Sequence, residues 1–268
     1  MNTYNLLKTW FLSLYVILMV IILYPSHANA QNVNWDNEIE QGFTKFQEGD
    51  WAGAFVHLEK ISNALSSIGA DTDIERTVYF ACGLCTQQMG ELNKSIVYNS
   101  KALELPNTPI EMTIQLLGSQ LHNYFELSMK DNCEKTVERM MEIYKSYKYI
   151  DLAQSIMTYY SEIGNFNKVI EFEKDLPRLI IPTENTEMEK ISNTIQLNTI
   201  YMSLAHSYME LKDFTKALQY YNKSLETVTE YNKNNLSLIY AAISQIYDLK
   251  GNRAEALKYQ KLAVESEL

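Results

Sequence analysis

The chain has 268 residues, 46% hydrophobic and 21% charged, a balance that builds a folded core and excludes intrinsic disorder. Lys and Arg number 23 against 33 Asp and Glu, for a formal net charge of −10, which repels a phosphate backbone and argues against nucleic acid as a ligand. With nine Gly and five Pro the chain is too poor in turn residues for a β-sandwich, and long helices joined by short turns fit it better.

In chain order, the first 30 residues carry one charge, Lys8, followed by the uncharged run from Trp10 to Tyr24. Pro25 and Ser26 break that run, and Ala28-Asn29-Ala30 supplies a small-x-small cleavage pattern ahead of Gln31. This reads as a signal peptide over 1–30, cleaved after Ala30, and predicts export to the periplasm or cell envelope. The apolar run is shorter than the roughly 20 residues of a spanning helix. The alternative is an uncleaved anchor in the inner membrane, the membrane being engaged only through this segment. No Cys follows the run, so a lipidated N-terminus is not indicated, and no second apolar stretch of spanning length exists.

Beyond Gln31 the sequence repeats itself. Phe46 to Ile61, Cys82 to Leu103, Leu204 to Leu225 and Ile243 to Val264 align, and Ile156 to Phe172 joins them over its first two-thirds. Their shared centre is a short turn followed by a small residue. It stands as Gly49-Asp50-Trp51 then Ala54, Gly90-Glu91-Leu92 then Ser95, and Gly164-Asn165-Phe166 then Val169. It recurs as Lys212-Asp213-Phe214 then Ala217, and as Gly251-Asn252-Arg253 then Ala256. Gly accepts the left-handed backbone that ends a helix, and Asp or Asn can cap the next. Small residues at Gly42, Gly83, Ala205 and Ser244, and again at Ala102, Ser224 and Ala263, allow helix backbones to approach closely. Between Ala102 and Ile150 lie two further helical patterns, Ile110 to Phe125 and Val137 to Tyr144. Their turn is expected at Lys130-Asp131-Asn132-Cys133. Pro177 and Pro182 end a helix, so 175–187 is expected to be a joint, with helix resuming after the polar cluster Thr183 to Thr186.

These turns and small residues resemble the tetratricopeptide repeat family, here as an exported bacterial member. The resemblance covers most of 31–268. It implies an all-α fold, a right-handed superhelical solenoid of about six helix hairpins, with a concave groove built from the first helix of each. The matching groove positions are Ile39, Phe43 and Phe46, then Phe80, Leu84 and Gln87, then Gln154, Thr158 and Ser161. The last two repeats add Met202, His206 and Met209, and Ala241, Gln245 and Asp248. One subtype of the family clamps a C-terminal carboxylate with Lys, Asn and Arg. Phe43, Leu84, Thr158, His206 and Gln245 stand where its Asn would, so no such clamp is expected.

Little in the chain suggests chemistry. Cys82-x-x-Cys85 falls in mid-helix, where no helix N-terminus lowers a thiol pKa, and reads as buried packing. With Cys133 the cysteines number three, which excludes a disulfide framework. His57, His122 and His206 lie in different repeats, and no phosphate loop or nucleophile elbow is present. The expectation is therefore a non-catalytic protein, without cofactor or metal, that binds a protein or peptide partner as a scaffold or adaptor. The alternatives are a sensory or regulatory module acting through a separate signalling partner, and a small-molecule-binding protein. No covering helix follows the last hairpin, so self-association there is a further expectation.

Overall fold

Helix dominates the described residues, 35–179 and 187–267 of this computed structural model, and no strand occurs among them. The expected signal peptide at 1–30 lies outside the described residues. The helices are α1 (Trp35–Gln47), α2 (Trp51–Ile68), α3 (Thr72–Gln88), α4 (Leu92–Glu104), α5 (Ile110–Glu126), α6 (Lys130–Tyr147) and α7 (Ile150–Glu162). There follow α8 (Phe166–Ile170), a 3₁₀ turn (Glu171–Asp175), α9 (Leu176–Leu179), α10 (Glu187–Glu210), α11 (Phe214–Glu226), α12 (Asn235–Leu249) and α13 (Arg253–Glu265).

Six hairpin turns share one geometry. Gly49, Gly90, Ser128, Gly164, Lys212 and Gly251 all adopt positive φ, between 56° and 77°. In each the next residue donates its N–H five residues back, as in Asp50 to the Lys45 carbonyl and Asn252 to that of Tyr247, at 2.8–2.9 Å. The positive-φ residue itself bonds three back, as Gly90 does to Gln87 at 3.0 Å. Together these two bonds satisfy the carbonyls that a helix end leaves open. At Gly49, Gly90, Gly164 and Gly251 an added Cβ would meet no neighbour, so backbone angle and not space selects glycine there. Asp50, Asp213 and Asn252 cap the following helix through Gly53, Lys216 and Glu255 N–H groups, at 2.9, 3.1 and 3.3 Å.

The third turn corrects the sequence reading. It sits at Leu127-Ser128-Met129 and not at Lys130 to Cys133, which is the first turn of α6. Ser128 takes the place of glycine, and Cys133, five residues on, becomes the small buried residue at the helix crossing, 2% exposed. Ala54, Ser95, Val169, Ala217 and Ala256 occupy the same place in the other hairpins and are all buried.

The described residues divide into two compact units, 35–139 and 140–267. In the first, α1 to α4 enclose an apolar core that includes Phe43, Phe55, Leu58, Ile61, Phe80 and Cys82. Burying each large side chain contributes about 1.5–3 kcal/mol. The crossing of α3 with α4 is polar instead. Ser95 donates to the Gly83 carbonyl at 2.8 Å, Asn99 donates to Ser119 at 2.8 Å, and Asn123 donates to Ser95 at 2.9 Å. A Cβ on Gly83 would collide with Asn99 Oδ1 and stand 3.2 Å from its Cγ. Asn99 is 1% exposed and cannot swing away without breaking its bonds. Gly83→Ala should therefore cost about 1–2 kcal/mol, overpacking outweighing the gain in helix propensity. Thermal unfolding followed by circular dichroism should show a melting temperature lower by roughly 5 °C; an unchanged one would mean the crossing is loose.

In the second unit α7, α10 and α12 are neighbouring first helices, with α8, α11 and α13 as their partners. Helix resumes at Glu187, after the polar cluster, while 180–186 lie outside the described residues. The part of the expected joint that is described is pinned in place. Asp175 accepts from Tyr144 at 3.1 Å and from Lys148 at 3.2 Å. Two residues before it, Glu173 accepts from Tyr220 at 2.8 Å, from Lys216 at 3.1 Å and from Tyr208.

Candidate partner-binding surfaces

The groove positions divide by unit. In the first, Phe43, Phe46 and Phe80 are 7, 3 and 1% exposed and belong to the core, so they offer nothing to a partner. Phe46 packs edge-on against Trp51 with ring centroids 5.1 Å apart. These large aromatic side chains belong to the core that α1 to α4 enclose. Ile39, Leu84 and Gln87 stay half-buried, and Gln87 is drawn inward by accepting from Ser119 at 2.7 Å.

The second unit keeps more of its predicted face open. On α7, Thr158 is exposed and Ser161 half-buried, while Gln154 is 8% exposed and engaged. On α10, Met202 and His206 are half-buried, and Met209 is 8% exposed. His206 stands edge-on to Phe166, centroids 5.5 Å apart, at the start of α8. Thr158 and Ser161 lie on α7, and Met202 and His206 on α10, the helix that packs beside it. Gln245 and Asp248 are exposed and, with Ala241, line a crevice between α12 and α13.

Several ionisable groups away from this face are committed to structure. Cys82 and Cys85 lie within α3, both fully buried, and burial pushes their thiols far up, leaving no reactive thiolate. His57 Nδ1 meets Glu38 Oε2 at 2.6 Å across the first hairpin, a partner that neighbouring sequence does not reveal. That bond, with help from Lys60, holds the Glu38 carboxyl below its usual range. The Glu173 carboxyl is also lowered: burial opposes ionisation, but hydrogen bonds from Tyr208, Tyr220 and Lys216 outweigh it. Lys216, bonded to Tyr208 and Glu173, is raised to about 12. Its ammonium lies 4.6 Å from the Tyr208 ring centroid, and Tyr208 stacks on Tyr220 at 5.9 Å. No local sequence pattern points to this cluster, because Glu173 lies 35 to 47 residues from the side chains it joins. Among the described residues no group of three His, Cys, Asp or Glu side chains is placed to hold a metal ion. No described helix is long and apolar enough to cross a membrane.

Comparison with known proteins agrees with the hairpin geometry. Residues 196–266 match the Tetratricopeptide repeat family, so the resemblance read from the turns is shown over the last two hairpins. Proteins of this fold are in general non-catalytic scaffolds for other proteins. Over 206 residues the chain is 23% identical to "Response regulator aspartate phosphatase E" of Bacillus subtilis (strain 168), covering 75% of this chain and 55% of that protein. It is 22% identical over 248 residues to "Tonsoku-like protein" of Drosophila melanogaster, covering 80% of this chain and 17% of that one. The chain thus spans about half the length of the first relative and under a fifth of the second. Among solved structures, a tetratricopeptide repeat protein from Parabacteroides merdae is similar at 14% identity and a TM-score of 0.47, covering 87% of this chain and 93% of that one. MamA is similar at 18% identity and a TM-score of 0.37, over 84% and 94%.

Proposed function

We propose that the chain is an exported scaffold or adaptor of the cell envelope that holds a protein partner against the first helices of its second unit. The observation that carries this reading is the surface formed by Thr158, Ser161, Met202 and His206. Among the described residues, Thr158 and Ser161 spend no side-chain hydrogen bond on the fold, and Met202 and His206 keep part of their surface open. Polar tips beside a thioether and an imidazole suit an extended segment or a helix of modest polarity. Export rests on the uncharged run and the Ala28-Asn29-Ala30 pattern.

A photo-crosslinking residue placed at Thr158 or Met202 in cells tests both halves of the proposal. One partner should be captured at both positions and not at Asn222, which is exposed on the second helix α11. The purified protein should begin at Gln31. Capture at Asn222 alone would move binding to the second helices, and a retained Met1 in a cytosolic fraction would remove the envelope setting.

A second reading is favoured by the Bacillus subtilis relative, whose name describes action on a response regulator. Under it the chain is a regulatory module working through a separate signalling protein. Recovery of a response regulator or a sensor at Thr158 would select this reading over the structural adaptor.

A further inference from the structure

The last hairpin holds a crevice of about 610 Å³ lined by residues of α12 and α13 and by Glu267 just beyond them. Three large apolar side chains in its lining stay open: Leu238, Leu257 and Val264 are 59, 56 and 59% exposed. Side chains of that size left in water on neighbouring turns mark a surface that is covered in use.

The order of residues along α13 says by what. Arg253 opens the stripe that lines the crevice and Glu267 closes it, with Gln260 midway. Ala256 and Leu257 lie on one side of Gln260, Ala263 and Val264 on the other, at the three- and four-residue spacing of one helix face. The Glu267 N–H bonds the Val264 carbonyl at 3.2 Å, which keeps it on the helical path. Turned end for end about Gln260, the stripe fits itself. Arg253 falls opposite Glu267, and exposed Leu257 comes beside exposed Val264 of the copy, while Ala256 and Ala263 stay buried within their own hairpin. The exposed apolar side chains then cover one another on either side of the axis, and each end pairs a cation with an anion. Gln260 meets its own copy, and its amide both donates and accepts.

Charge selects a second copy over other occupants. Lys258 and Lys261, which lie off the stripe, are already paired within α13 to Glu255 at 3.1 Å and Glu265 at 3.5 Å. Arg253 and Glu267 have no such partner among the described residues. A partner of one sign would satisfy one of them and repel the other, whereas a two-fold copy satisfies both twice. We propose that the α12–α13 face binds a second copy of this chain through antiparallel pairing of α13 helices, with the two-fold axis at Gln260. This is independent of the surface on α7 and α10.

Sedimentation of the purified protein over a dilution series should show a reversible dimer. The native cysteines are buried, so a new surface thiol reports alone. Gln260→Cys should give a disulfide-linked dimer under mild oxidation, and Lys258→Cys, on the same helix but off the stripe, should not. Arg253→Glu should weaken dimerisation at least about tenfold, and adding Glu267→Arg should restore it. A monomer at every concentration up to roughly 100 μM would overturn the proposal, since an interface weaker than that is not a stable one. So would equal crosslinking at Lys258 and Gln260, or a double variant that stays as weak as the single one.

Discussion

Raised from neutral pH, the protein should keep its helical signal to about pH 10 and then lose it in a cooperative step as its tyrosines ionise. Burial pushes the phenols of Tyr144, Tyr220 and Tyr221 well above their ordinary value, and that of Tyr98 to about 12. Tyr220 and Tyr144 are raised further by the carboxylates of Glu173 and Asp175 that accept their hydrogen bonds. Tyr201 and Tyr208 shift in the same direction, again chiefly through burial. A phenol whose folded pKa exceeds its unfolded value of 10.0 contributes stability that is fully present below pH 10. That contribution is lost as pH climbs toward the folded value. Several buried phenols resisting ionisation together therefore draw the equilibrium toward the unfolded chain as pH climbs past 10. Near-ultraviolet absorbance of tyrosinate, recorded together with circular dichroism, checks the expectation. The buried set should ionise only together with loss of helix. A smooth titration of every tyrosine with helix intact would refute it.

Asn198→Ala should be the most damaging conservative truncation in the second unit, at about 3 kcal/mol. Asn198 is fully buried in α10. Its amide nitrogen donates to the Ser224 carbonyl at 2.7 Å, to Ser224 Oγ at 3.0 Å and to Thr227 Oγ1 at 3.1 Å. Its Oδ1 accepts from Asn235 at 2.7 Å, so one side chain ties α10 to the end of α11 and to the start of α12. Truncation removes all four of these bonds at once and empties a fully buried site; the Ser224 carbonyl keeps Thr227 as a donor, and each bond lost is worth about 0.5–1.5 kcal/mol. The urea midpoint should fall while the slope stays constant, because the surface exposed on unfolding is the same. Ser224→Ala, which leaves the bond to the Ser224 carbonyl in place, should lose well under half as much. Equal losses for the two variants would mean that Asn198 acts through packing alone.

The turns are legible in sequence because a left-handed helix end has a local signature. Gly49, Gly90, Gly164 and Gly251 announce four hairpins, and the spacing to the next small residue places Lys212 as a fifth. Ser128 hides the sixth, because serine at positive φ looks in sequence like any polar residue near a helix end. The expected turn slides three residues downstream as a result, and Cys133 does not stand out as a crossing residue. Groove positions can be assigned by spacing, but burial cannot: Phe80 and Leu84 lie on one helix, yet only Leu84 keeps surface. The contacts that fasten the second unit, from Glu173 and Asn198, join residues 26 to 47 apart and depend on which helices come to lie side by side. No window of local sequence holds that information.

The shared turn geometry bears on how quickly the chain can reach its fold. Every closing bond spans three or five residues, so a hairpin forms from its own stretch without waiting for any distant segment. Topologies wired this way fold in microseconds to milliseconds, whereas those that rely on remote strand pairing take up to seconds. During synthesis each hairpin can settle as soon as its second helix is complete, and a slow or faulty one delays only its neighbours.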